Sequence, residues 1–189
     1  MLLLVDVDDS VLQFIKPFNE WMKEKGYTEH TDIMDTYSVM HAFNISIEEA
    51  SNLIKEYAET VMAHEQEPEP CAKIVLPRLY KKGHRFVAIT ACGIDEDFKQ
   101  KRLNILEKTF GFEWNDIHTV DFHASKEEYL FSYDKSIWVE DNLRHAVDGV
   151  AIGHHTFLLD RPYNQGKSDG IVRVKDWYEI ERNIECMEI

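Results

Sequence analysis

The densest chemistry in the chain stands near its start, where Leu2-Leu3-Leu4-Val5 runs into Asp6-Val7-Asp8-Asp9-Ser10. Three carboxylates within four residues repel one another unless a cation is present. Alternation along an extended chain sends Asp6 and Asp8 the same way. A second acidic pair, Glu140-Asp141, closes the apolar run Ile137-Trp138-Val139. Two other features lie between. Phe86-Val87-Ala88-Ile89 ends in Thr90-Ala91-Cys92-Gly93, a hydroxyl followed by small residues that let backbone N–H groups approach an anion. Ser125, a helix-capping residue type, precedes Lys126. A cation at a helix start opposes the dipole, a mild conflict that a functional lysine shows; Lys135 is a rival position. Singly, each feature has a plain alternative: an acidic turn, a strand finishing in Thr, a solvated lysine, helix capping by Asp141 or Asn142. In chain order they read acidic, hydroxyl, basic, acidic, and four such strand ends do not readily coincide by accident.

The elements that must position them follow from hydrophobic periodicity. Short apolar runs at 2–5, 85–89, 117–120, 136–139 and 156–159 read as strands. Helical patterns lie between most of them, at about 72–82, 96–110, 125–132 and 142–148. Strands alternating with helices predict an α/β fold, a Rossmann-like doubly wound parallel sheet covered on both faces. In such sheets ligands bind outside the carboxyl ends of the strands, where all four features stand. Residues 11–66 show no strand. Val11, Phe14, Ile15, Phe18 and Met22 recur at helical spacing, as do Ala50, Leu53, Ile54, Tyr57 and Val61. Ser46 with Glu49 reads as a capping box, and Pro17 fits a helix only in its first turn. The division expected is a core of 1–10 and 70–189, with a small helical insertion over 11–69 ended by Glu67-Pro68-Glu69-Pro70.

Composition sets the outer bounds. A chain of 189 residues fits one domain, or a core with one insertion. The net charge of −14 disfavours long nucleic acid and anionic membrane surfaces, since carboxylates repel phosphate. No apolar run approaches the ~18 residues of a membrane span, and the opening one stops at Asp6, too short and too soon acidic for a signal peptide. Three cysteines without C-x-x-C spacing fit a reduced cytoplasmic compartment. The His154-His155 pair reads as solvated turn residues, Cys92 as a small buried thiol, and the acidic run over 65–69 as a solvated edge.

The ordered set Asp6/Asp8, Thr90, Lys126, Glu140/Asp141 resembles the haloacid dehalogenase (HAD) superfamily, over residues 1–10 and about 70–160. The position of the helical insertion matches that superfamily's type-one cap. Within it the chain is similar to the cytosolic-type 5′(3′)-deoxyribonucleotidases. The matching segments are Gln13-Phe14, Glu69-Pro70-Cys71-Ala72, Glu140-Asp141, Thr156-Phe157-Leu158-Leu159-Asp160, Arg161-Pro162-Tyr163-Asn164 and Asp176-Trp177-Tyr178-Glu179-Ile180. It departs from them at Asp9-Ser10, where Gly and then Thr or Val are usual, and at Ala124, where a basic residue often stands.

The resemblance implies a Mg²⁺-dependent phosphomonoesterase. Asp6 would be the nucleophile and Asp8 the general acid and base. Thr90, Ala91 and Lys126 would bind the phosphoryl group. The metal would be held by the Asp6 carboxylate, the Asp8 backbone carbonyl and the Asp141 carboxylate. Phe14 would meet the nucleobase, with Phe18, Trp21, Tyr37 and Phe43 as further aromatic candidates and helix packing the alternative for Phe14 and Phe18. The implied substrate is a small phosphate ester, a deoxyribonucleoside monophosphate; a homodimer is compatible. Alternatives are another small ester or a nucleic-acid terminal phosphate on the same fold, and a non-catalytic HAD-like binding module. Asp6→Asn is expected to abolish Mg²⁺-dependent monoester turnover and leave thermal unfolding nearly unchanged; near-normal activity would refute the role.

Overall fold

A computed structural model describes residues 1–122, 124–167 and 169–187, so the last two residues of the expected core segment lie outside it. Six parallel strands form one sheet: β1 (Leu2–Val5), β2 (Arg85–Ala91), β3 (Asp116–Val120), β4 (Ile137–Glu140), β5 (His155–Leu159) and β6 (Ile171–Val174). Their order is β3-β2-β1-β4-β5-β6. The α/β class and five of the strands agree with the periodicity. The sixth was not expected: β6 is an edge strand whose apolar run is broken by Arg173 and is only partly buried. It pairs with β5 alone, Thr156 opposite Ile171 through Leu159 opposite Val174.

Alternation along the buried strands divides the core. Leu3 and Val5 face one side with Phe86, Ala88, Val139 and Phe157, under α5 (Pro70–Lys81), α6 (Glu96–Phe110) and α9 (Trp177–Met187). Leu4 faces the other with Val87, Ile89 and Trp138, under α7 (Glu127–Phe131) and α8 (Leu143–Ile152). Leu3, Leu4 and Val5 are fully buried, which is why this strand reads as an unbroken apolar run.

Residues 15–62 hold α1 (Ile15–Glu24), α2 (Ile33–Thr36), α3 (Val39–Phe43), α4 (Ile47–Tyr57) and a π-helical turn over Ala58–Met62. Phe18, Met22, Phe43, Leu53 and Tyr57 form their own apolar cluster, which meets the sheet layer at Cys92 and Phe98. Pro17 falls in the first turn of α1, where a missing N–H is harmless. That helix starts at Ile15, later than the spacing of Val11 suggests. Val11 and Leu12 lie in a tight turn donating to the Val7 carbonyl and are buried in the sheet core. Ser46 caps α4 by accepting from the Glu49 N–H at 3.1 Å, but the Glu49 carboxylate accepts from Tyr27 Oη, so only half of the box forms.

Two expectations are corrected. His154 is buried, not solvated: its Nδ1 accepts from the Ser136 N–H at 3.1 Å and its Nε2 pairs with the Leu130 carbonyl at 2.9 Å, stitching β4 to α7. Within the 65–69 run Gln66 is buried, while Glu65 and Glu67 are exposed. Among the described residues no helix is long and apolar enough to cross a membrane.

Gly149 sets how closely α8 approaches the sheet. A Cβ there would press into the Trp138 ring and the Thr156 hydroxyl. Gly149→Ala should gain roughly 1 kcal/mol of helix preference and lose about 1–3 kcal/mol to overpacking. A net fall in stability by urea or thermal unfolding is expected; a stabilised variant would show that Trp138 yields freely.

Candidate active site

The strand order reverses between β1 and β4, and the candidate residues gather at the carboxyl ends of these two strands. Val5 pairs with Val139, and the Asp6 N–H donates to the Val139 carbonyl at 2.9 Å. Asp6 therefore follows β1 directly beside Glu140, which ends β4, and Asp141, which follows it. Carboxylate oxygens of these three buried residues lie within 4.8 Å of one another. Lys126 reaches in from the start of α7. Its Nζ donates to Asp6 Oδ1 at 2.5 Å and to Glu140 at 3.2 and 3.4 Å, and it stands 5.4 Å from the centre of the Trp138 ring. Lys126 is the N-cap residue; Ser125 stands just before it and accepts from the Glu127 N–H. The rival Lys135 is exposed.

Three buried carboxylates face one ammonium. Burial is the main cause that raises the pKa values of Asp6, Glu140 and Asp141; the Asp6 charge raises the latter two further, and Asp8 raises Asp6 against the pull of Lys126. Burial works against the Lys126 ammonium, but Asp6 and Glu140 overcome it and raise its pKa. His145, also at the cavity, is pushed down to about 4, chiefly by burial, and adds no cation at neutral pH. The site is hard-oxygen and short of positive charge, so it suits a divalent cation.

Asp8 lies alongside and faces the same cavity as Asp6. Its Oδ1 accepts from Arg102 Nη2 at 2.8 Å and from Gln66 Nε2 at 3.2 Å, while its Oδ2 meets the Thr90 hydroxyl at 3.5 Å. Gln66 Oε1 accepts from Arg102 Nη1. Thr90 is fully buried beneath Asp8, whereas Ala91 lines the cavity. Arg102 and Gln66 had no place among the sequence candidates. A signal existed for Arg102: it falls on the stripe of α6 formed by Phe98, Ile105 and Leu106, where a charge needs a partner.

Asp9 has a structural task. Its backbone is left-handed (φ +54°), the conformation glycine adopts most readily. Its carboxylate accepts from Phe14 N–H at 2.9 Å and from Ile15 N–H at 3.1 and 3.2 Å, capping α1 from outside that helix. Burial pushes Asp9 up to about 7, against the pull of those donors.

The cavity encloses about 340 Å³. Asp6, Asp8, Lys126, Glu140 and Asp141 line one end; Phe14, Ile33, Val39, Met40, Ile47, Ile54 and Met62 contribute an apolar wall. Phe14 stacks on Phe18 at 5.5 Å between ring centres. Tyr37 also lines the cavity, whereas Phe18 and Phe43 are buried packing residues.

No family model matches the sequence, and no curated protein matches it. Solved structures do. A predicted phosphatase from Clostridium acetobutylicum superposes with a TM-score of 0.67 at 15% identity, over 100% of this chain and 98% of that one. YfnB from Bacillus subtilis, described as a HAD-hydrolase and bound to magnesium, gives 0.62 at 16% identity over 97% of each chain. CbbY from Rhodobacter sphaeroides, in complex with xylulose-(1,5)bisphosphate, gives 0.60 at 13% identity over 94% and 95%. The fold is that of the HAD hydrolases.

Groups whose pKa is raised on folding stabilise the fold in their protonated form. That contribution is complete below the ordinary carboxylate range near ~4 and is lost as pH rises through the raised values. A cation binding there displaces those protons. The rise in melting temperature on adding Mg²⁺ should therefore be small near about pH 5 and larger near about pH 8. His145 titrates in the opposite sense and is common to both arms. A shift independent of pH would exclude Mg²⁺ binding to these three acids.

Proposed function

We propose that this protein is a Mg²⁺-dependent phosphomonoesterase acting on deoxyribonucleoside monophosphates. The observation that carries the reading is the placement of Asp6 at the cavity floor. It stands among Glu140, Asp141 and Lys126 with Asp8 beside it, at the switch point of a HAD-type sheet.

The Asp6 and Asp141 carboxylates and the Asp8 backbone carbonyl would hold the metal. Bound there, Mg²⁺ would offset the repulsion between a dianionic ester and the carboxylates. Asp6 attacks phosphorus, the bond to the leaving oxygen breaks, and Asp8 protonates that oxygen. Asp8 then takes a proton from the water that cleaves the aspartyl-phosphate, returning Asp6 to its free form. Arg102 and Gln66 occupy Asp8 Oδ1, so Oδ2, met by the Thr90 hydroxyl at 3.5 Å, is the oxygen that carries the proton. Lys126 and the backbone at Ala91 hold the phosphoryl oxygens, with Thr90 fixing Asp8 beside them. A single donor of this kind is typically worth about 3 kcal/mol in the transition state.

Residues 11–69 act as the cap. Their apolar wall, with Phe14 among its rings, favours a planar base over a polyhydroxylated sugar, because sugar hydroxyls in such a wall would lose hydrogen bonds to water. A base offers a π-face that apolar and aromatic side chains accept whatever its identity. A second reading, a sugar-phosphate substrate, draws on CbbY with its bound sugar bisphosphate.

Phosphate release from 5′- and 3′-deoxyribonucleotides, sugar phosphates, a sugar bisphosphate and a 3′-phosphorylated oligonucleotide separates these readings. The highest kcat/KM is expected on a deoxyribonucleoside monophosphate, with activity lost in EDTA. Faster turnover of a sugar phosphate would favour the second reading. No turnover of any ester by the folded, Mg²⁺-loaded protein would leave a binding module.

A further inference from the structure

The segment after β5 grips Asp141 from two directions. The Tyr163 hydroxyl donates to Asp141 Oδ2. Asn164 Nδ2 donates to the Asp141 carbonyl at 2.6 Å and to the Leu159 carbonyl at 2.7 Å. Asn164 is itself held: its side-chain oxygen accepts from the Arg161 N–H at 3.1 Å and from Arg173 Nη1 at 2.7 Å. Arg173 Nη2 also donates to the carbonyls of Asn164 and Gly166, each at 2.9 Å. Arg161 Nη2 donates to the Asp9 carbonyl at 2.7 Å, so one short segment ties the ends of β1 and β4 together.

The ring of Tyr163 also has a neighbour of its own. Tyr37, at the end of α2, lies against it with ring centres 4.6 Å apart. Tyr37 keeps a left-handed backbone (φ +51°), uncommon for a bulky residue. The phenol is thus clamped between the helical segment and the sheet, and its hydroxyl is aimed at one oxygen of a buried carboxylate whose other oxygen is left for a cation.

We propose that Tyr163 is a positioning residue for the metal: its hydroxyl fixes the Asp141 carboxylate, and the Tyr37 ring keeps that hydroxyl in place. The proposal rests on the metal-binding part of the reading above and not on the identity of the substrate. A carboxylate that must ligate pays a rotational entropy cost unless a neighbour already holds it, and such neighbours set metal affinity without touching the ion.

The test is isothermal titration of the full chain with Mg²⁺ alone, without substrate. Tyr163→Phe removes only the hydroxyl and is expected to bind Mg²⁺ roughly 10–100-fold more weakly than wild type. Tyr27→Phe is the matched control: its hydroxyl donates to the exposed Glu49 carboxylate, outside the cavity, and its loss should leave Mg²⁺ affinity unchanged. Unaltered affinity in Tyr163→Phe overturns the proposal, and so does a lower melting temperature in EDTA with unaltered affinity, the mark of a purely structural hydroxyl. Weakened Mg²⁺ binding in a protein that hydrolyses no ester would end the phosphatase reading and support the role of Tyr163. Unaltered affinity in a variant of an active enzyme would do the reverse.

Discussion

An excess of buried negative charge at the junction of β1 and β4 is the constraint around which the rest is arranged. Asp6, Glu140 and Asp141 converge within 4.8 Å, and Lys126 is the ammonium that meets them. Desolvating carboxylates is costly, and desolvating three beside one another is more so. The fold tolerates this because the sheet holds the backbone of all three rigidly, with Val5 and Val139 fully buried on either side of the ladder. The remaining imbalance is what suits the site to a divalent cation.

The neighbouring acids are handled differently, and the difference assigns their work. Asp8 is matched by Arg102, a fully buried guanidinium, and by Gln66 from the end of the helical segment. Asp9 is matched by backbone N–H groups at the start of α1. Three aspartates within four residues thus meet three different sets of partners: Lys126 for Asp6, Arg102 and Gln66 for Asp8, and the backbone at the start of the helical segment for Asp9. The left-handed turn at Asp9 separates the last from the first two. The Asp9 side chain serves as a helix cap at a turn whose backbone conformation glycine adopts most readily.

Much of the plan was legible before any coordinates. Buried parallel strands read as uninterrupted apolar runs, so five of the six strands and the covered sheet followed directly. Asp6, Asp8, Lys126 and Asp141 stand out by their order along the chain, acidic, basic and acidic with a hydroxyl between, at the carboxyl side of a parallel sheet. β6 escaped because an edge strand needs little apolarity and Arg173 interrupts it. His154 was misjudged because a buried imidazole with both nitrogens bonded has the same local sequence as a solvated one.

Residue types and their spacing determined by themselves that this is an α/β sheet with acids, a hydroxyl and a lysine at its strand ends, and a helical insertion after the first strand. That information is local: it lies in periodicities of two and 3.6 residues and in the punctuation between them. Which acids share one cavity, that Glu140 joins Asp6 and Asp141, that Arg102 takes Asp8, and that Tyr163 takes Asp141 were decided only by the tertiary structure. Those pairings join residues distant in the chain, as Asp6 and Glu140 lie adjacent across the ladder. The physical reason is that Coulombic and hydrogen-bond partners are chosen by distance in space, and the sheet order that sets those distances is written in no single stretch of chain.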